Sequence, residues 1–228
     1  MRLSRLAAAS GVAGPVLFTA AWVVSSLRQA GHSVAEVQLS GLAAEDAREP
    51  QIMMAGFVVL GASTVVFGAG LGRVTGPRSG GRWLVVVAGV ASVAAGVFRR
   101  DHMLLSGPGF AGESWHNQVH DVVSGVAYGA MLAAPLLLGR RLHDDPDWAV
   151  LSRLVQVLAL ASAAALAVFA SGVAGPYNGV VQRVAVTLGL AAEILLAGRM
   201  LTLPDRPAPA RSQASERRHA ADTLTDIP

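Results

Sequence analysis

Residues 98–128, FRRDHMLLSGPGFAGESWHNQVHDVVSGVAY, gather polar side chains in a chain otherwise dominated by Ala, Val, Leu and Gly. His116 and His120 stand four residues apart, so on a helix they share a face and two neutral imidazoles can hold one metal ion. With Asp101 or His102 as a third ligand, zinc is the ion such a set would take. Asp121 would then serve as a partner or general base, and Ser106, beside the Gly107-Pro108-Gly109 turn, as a nucleophile if a base lies within reach. That chemistry is metal-dependent hydrolysis. The same residues also suit a binding pocket made from Asp101, His116, His120, Asp121, Ser124, Tyr128 and Arg183. A third reading is a transport path along His120, Asp121, Ser124 and Tyr128, with Glu193 as a mid-membrane carboxylate for protons or cations. The plainest reading is a hydrogen-bonded network that stitches helices together. His32, His143 and His219 fall in loops or the tail and are expected to be inert.

The elements that position these residues are membrane spans. A chain that is 53% hydrophobic and 14% charged, with a mean hydropathy of +0.49, fits an integral membrane protein better than a soluble domain. There is no cysteine, which excludes disulfides and thiolate chemistry. All 18 basic residues are arginine, spread over helix ends rather than gathered on one face. Membrane lipid, not nucleic acid, is therefore the expected partner. Six apolar runs reach the length a bilayer needs: 11–27, 52–71, 83–98, 116–138, 151–171 and 180–201. The fold class is an all-α, six-helix integral membrane bundle over residues 11–202, flanked by a short N-terminus (1–10) and a Pro/Ala/Arg-rich tail (203–228) expected to be disordered.

With the N-terminus inside, thirteen arginines fall in cytoplasmic segments and five in outer ones, a positive-inside pattern that predicts a cell-membrane protein with both termini cytoplasmic. The second, fourth and sixth spans run into Gly72-Arg73, Gly139-Arg140 and Gly198-Arg199, which reads as three glycine-closed helix ends on one face. Within the 28–50 connection, Ser33 and Glu36 have capping-box spacing ahead of Val37, Leu39 and Leu42, predicting a short helix on the membrane surface that lids the pocket. Gly56, Gly61, Gly68, Gly89, Gly96, Gly125 and Gly129 suit close helix packing.

On the fourth span, His116, Asn117, His120, Asp121, Ser124 and Tyr128 fall within an arc of about 140°, which should turn inward. Asp101 and Arg183 each sit at a helix end of unfavourable dipole, so Arg183 is expected to pair with Asp101 or Asp121.

Four stretches carry a family likeness: LSGLAAEDAREPQIMMAGFVVLGASTVVFGAGL (39–71), GVFRRD (96–101), HNQVHDVVSGVAY (116–128) and GVVQRVAV (179–186). In their order and spacing the chain resembles the uncharacterised multi-pass membrane family catalogued as domain of unknown function 998. It differs in having Arg99 where a G-x-F-P-x-D motif has proline, and in lacking a tryptophan in the last helix. The resemblance implies a six-helix membrane fold and no particular activity. A homo-oligomer is compatible with the sequence, which names no protein partner.

Overall fold

The computed structural model describes residues 2–76, 78–104 and 114–203. Among them every regular element is helical: α1 (Arg2–Arg28), α2 (Gln51–Thr75), α3 (Gly80–Val97), α4 (Trp115–Leu142), α5 (Ala149–Ser171) and α6 (Asn178–Thr202), with short 3₁₀ turns at Ser40–Ala43 and Gly175–Tyr177. Six helices are long and apolar enough to cross a membrane, and each lies where an apolar run predicts one. Ser106 and nearly all of the tail expected to be disordered lie outside the described residues.

Each helix packs against the next, and α6 returns to α1. The result is a closed ring, and a ring of six leaves room along its axis. Two apolar clusters fill the ends. One joins Phe67, Leu71, Leu138, Trp148 and Leu196. The other joins Phe18, Met53, Leu60, Val186 and Leu190 to Val37, Leu39 and Leu42 of the first connection. We call this second one the lid end.

Several local expectations are corrected. Gly72-Arg73, Gly139-Arg140 and Gly198-Arg199 do not end helices, because α2, α4 and α6 run on to Thr75, Leu142 and Thr202. The left-handed stop on α2 is instead Gly76, at φ 86°. Gly72 and Gly139 serve approach: a Cβ there would meet the Arg82 guanidinium and the Gln156 side chain. The expected surface helix is also replaced. Ser33 does accept from the Glu36 amide (3.3 Å), but after one turn the chain enters the bundle and makes the buried turn Ser40–Ala43. Burying Val37, Leu39 and Leu42 removes more apolar surface from water than laying them at an interface would.

Helices α2 and α3 approach most closely at Gly61 and Gly89, where a Cβ on either would run into the other's carbonyl oxygen. Gly125 and Gly129, by contrast, have nothing within 4 Å of a built Cβ and lie exposed on α4. Their expected packing role is not seen within this chain. Gly61→Leu and Gly89→Leu should each destabilise the bundle by about 1–3 kcal/mol or more through overpacking. Gly125→Ala should not destabilise it, and the better helix propensity of alanine should add up to about 1 kcal/mol. Thermal unfolding of the three variants in detergent checks this contrast.

Candidate functional site

The lid end begins with α6. Its first turns carry Gly179, Gln182 and Arg183, which receive the backbone of residues 34–39. Arg183 Nη1 donates to the carbonyls of Val34 (3.0 Å), Val37 (2.6 Å) and Gly179 (3.0 Å). The Val180 amide donates to Ala35 O (3.2 Å), and the Leu39 amide donates to Gln182 Oε1 (2.7 Å). Gly179 makes this approach possible, since a Cβ would stand 2.6–2.7 Å from the Val37, Ala35 and Val34 oxygens. Further ties hold the rest of the connection. Arg28 Nε meets Glu49 at 2.7 Å, Gln29 exchanges hydrogen bonds with the Arg48 backbone, and Asp46 Oδ1 accepts from the Met103 amide (2.7 Å).

Arg183 therefore serves the lid rather than Asp101 or Asp121, correcting the expected pair. It is 6% exposed, and its guanidinium lies 5.3 Å from the Trp22 ring centroid. A carboxylate would satisfy one cation, but two carbonyls of an irregular segment and one from the first turn of α6 need a multi-donor group, and Arg provides it. His32 lies within reach of this charge. Burial and the neighbouring Arg183 both lower its pKa, which keeps the ring neutral at ordinary pH.

Asp101 is instead the centre of the α3–α4 junction. Ser114 caps α4, its hydroxyl accepting from the Asn117 amide (3.2 Å) and donating to Asp101 Oδ1 (2.5 Å), while the Ser114 amide donates to Oδ2 (2.8 Å). His116 Nδ1 lies 2.9 Å from Ser114 Oγ and 3.2 Å from Arg99 O, and 3.5 Å from Asp101 Oδ1. Asn117 bridges the Asp101 amide (3.1 Å) and Asp121 Oδ2 (3.2 Å). Burial alone would raise the Asp101 pKa, but the two bonds from Ser114 and the nearby His116 and His102 outweigh it and bring the carboxyl below its usual range. Ser, His and Asp thus meet at hydrogen-bond distance. Their geometry is that of a helix cap, because the serine proton already points at the carboxylate.

His120, at 1% exposure, turns the other way. Its Nδ1 lies 3.0 Å from Ala95 O and 2.7 Å from Phe98 O, two acceptors at the end of α3. That nitrogen must therefore carry the hydrogen. Nε2 has no partner among the described residues, and the ring meets Phe57 edge-on at 6.5 Å. Asp121 is exposed, so the predicted polar arc is divided at its edge: at about 100° from His120, Asp121 falls outside the ring interior. No group of three His, Asp or Glu side chains among the described residues converges as a metal set.

Below the lid, a cleft partly open to its surroundings reaches from Leu39 and Ser40 past Phe18, Phe57, Ser124 and Tyr128 to Glu193. A second continues from Glu193 towards Leu138 and Leu196. Thr64, Ala88, Met131 and Glu193 line both. Gln182 Nε2 donates to the Tyr128 hydroxyl oxygen (2.8 Å), because its Oε1 is taken by Leu39. The Tyr128 proton is thus not used in that bond. Thr64 Oγ1 lies 3.0 and 3.3 Å from the Glu193 oxygens. Of the sequence-predicted ligand residues, Ser124 and Tyr128 line the cleft, Asp101, His116, His120 and Arg183 hold helix ends and lid, and Asp121 lies exposed on α4 beside Asn117. Sequence reasoning missed Ser114 and Thr64. Ser114, three residues before Asn117, carried a capping signal, whereas a threonine in an apolar run carried none.

The chain matches the family described as protein of unknown function (DUF998) over residues 12–199. No curated protein matches it, nor does any solved structure.

Two outcomes follow from the lid and the junction. Gln182→Leu should speed hydrogen exchange at the Leu39 amide by roughly fivefold, the consequence of losing a buried bond worth ~1 kcal/mol, as read by mass spectrometry. A carboxyl with a depressed folded pKa stabilises above its ordinary value, 3.8 for Asp101, and that contribution is lost as pH falls through the lower folded value. Acid unfolding should therefore begin at the 98–117 junction below about pH 4, and Asp101→Asn should flatten the acid limb of the melting profile.

Proposed function

Since the chain belongs to the family described as protein of unknown function (DUF998) and has six helices fit to cross a membrane, we propose that it is a cell-membrane protein that binds a lipid or small amphiphile in the cleft beneath residues 29–50. One observation carries the reading. The cleft has an apolar wall of Phe18, Phe57, Leu60, Val186 and Leu190, with a few convergent polar groups at Ser124, Tyr128 and Glu193, the make-up expected of a small-molecule site. The lid covers its upper end, held by the Gln182 and Arg183 side chains and packed through Val37, Leu39 and Leu42. Arginine placement supports termini on the cytoplasmic side, with the lid outward.

A second reading, transport, is favoured by the second cleft, which continues past Glu193 towards the opposite end of the ring. Alternating access would then use Glu193 as the shared point. A zinc-dependent hydrolase built on Asp101, His116 and His120 is less well supported. The Nδ1 atoms of both histidines already face Ser114, Arg99 or the end of α3, leaving a metal only the Nε2 atoms.

The wild-type protein in lipid nanodiscs should bind 4-tert-butylphenol saturably in equilibrium dialysis. Leu190→Trp, which fills the cleft, should weaken binding at least about tenfold, and Tyr128→Phe roughly fivefold through one lost hydrogen bond. Non-saturable uptake, unchanged in Leu190→Trp, would remove the cleft as a ligand site.

A further inference from the structure

Among the described residues no ion pair includes Glu193. It lies where the two clefts meet and lines both. Its hydrogen-bond partner is the Thr64 hydroxyl, which has one hydrogen and no charge to offer. Among the described residues no arginine or histidine lines either cleft, and the one other titratable group lining them is the Tyr128 phenol. From α3 the facing residues are Val85, Ala88, Ser92 and Ala95, and from α4 Ser124, Ala127, Met131 and Ala134 are among them. None carries charge. The buried cation of the same helix, Arg183, is committed to lid carbonyls. Meanwhile three aromatic rings, Phe18, Phe57 and Tyr128, border the cleft that Glu193 closes.

A carboxylate cannot stand bare in an apolar cavity inside a bilayer. Either a proton or a cation has to balance it, and among the described residues no cationic side chain lines the clefts to do so. An organic cation would find a counter-charge at Glu193 and aromatic faces along the remaining wall, the combination that favours ammonium groups over neutral molecules of equal shape.

We infer that the cleft takes a small monovalent organic cation, an ammonium-bearing amphiphile whose charge rests against Glu193 and exchanges there with a proton. This rests on the cleft being a ligand site and adds the chemical class of its occupant. The exchange is balanced: the carboxyl O–H breaks, its proton leaves to water, and the carboxylate pairs with the ammonium without any covalent bond forming. Selectivity then lies in charge, with the apolar wall setting size.

The test uses two probes of one shape, phenyltrimethylammonium and tert-butylbenzene, on the full chain in nanodiscs. The wild type should bind the cation at least about tenfold more tightly than the neutral probe and release about one proton per cation bound, read with an indicator in weakly buffered solution. Glu193→Gln should lose the cation preference and the proton release while still binding tert-butylbenzene. Proton release by the wild type needs no variant, so a poorly folding Glu193→Gln would not leave the question open. Thr64→Val, which keeps the carboxyl, should retain the cation preference. Equal binding of both probes, or cation binding without proton release, would overturn the cation assignment and leave the cleft standing as a neutral site. If neither probe binds, the cleft reading fails along with it.

Discussion

The structure depends on α6 completing the hydrogen bonds of a loop that enters the bundle. Backbone without regular structure can sit at this depth only where protein satisfies its polar groups. Gln182 and Arg183 supply that satisfaction, accepting from Leu39 and donating to Val34 and Val37. Gly179 lets the two backbones meet. Everything at the lid end follows from this contact. With residues 34–39 held down, Val37, Leu39 and Leu42 can join Phe18, Met53 and Leu190 in one apolar cluster, and the space beneath becomes a covered cleft rather than an open funnel. The same helix also closes the ring against α1, so the element that fixes the lid also fixes the enclosure.

The polar stretch between α3 and α4 answers a similar need on the other side of the ring. A helix leaves four carbonyls open at its end and four amides open at its start. His120 meets the last carbonyls of α3, and Ser114 meets the first amides of α4 while anchoring Asp101. Seen this way, histidines four residues apart are not equivalent. His116 belongs to the solvent-side cap and His120 to the buried one, and the turn of helix between them sends their rings to different partners. Residues further along α4, Ser124 and Tyr128, are past the helix end and free to face the cleft.

How much of this was legible in the sequence depends on whether the signal was local. The six spans were legible because hydropathy over about twenty residues is a property of each run alone. So was the Ser33–Glu36 turn, a bond across three residues. Where the chain went after that turn was not legible, since burying Val37 and Leu39 depends on Gln182, more than a hundred positions away. The Gly-Arg pairs misled because glycine at Gly72 and Gly139 admits a neighbouring side chain, a need that looks the same in sequence as a helix stop. Arg183 was correctly read as a charge in want of a partner, but the partner was a set of carbonyls, and carbonyls are invisible to residue-type pairing. Asp121 shared the polar arc on paper and missed the interior by sitting at its edge.

Arg199, near the end of α6, is held by Asp147, and the helix's other two ionisable groups, Arg183 and Glu193, are separated by ten residues, or about 15 Å of helix rise. At that distance they cannot form an ion pair, although one is basic and the other acidic, so each has to be balanced where it stands. The fold satisfies Arg183 in part: Nη1 donates to carbonyl oxygens and the guanidinium lies near the Trp22 face, while Nε and Nη2 have no partner among the described residues. It gives Glu193 one hydroxyl and an open cleft. Had the carboxyl been needed only to tie α6 to α2 through Thr64, a glutamine would make the same bond without the cost of a buried acid. An acid retained at the meeting point of two clefts is therefore best understood by what can enter them.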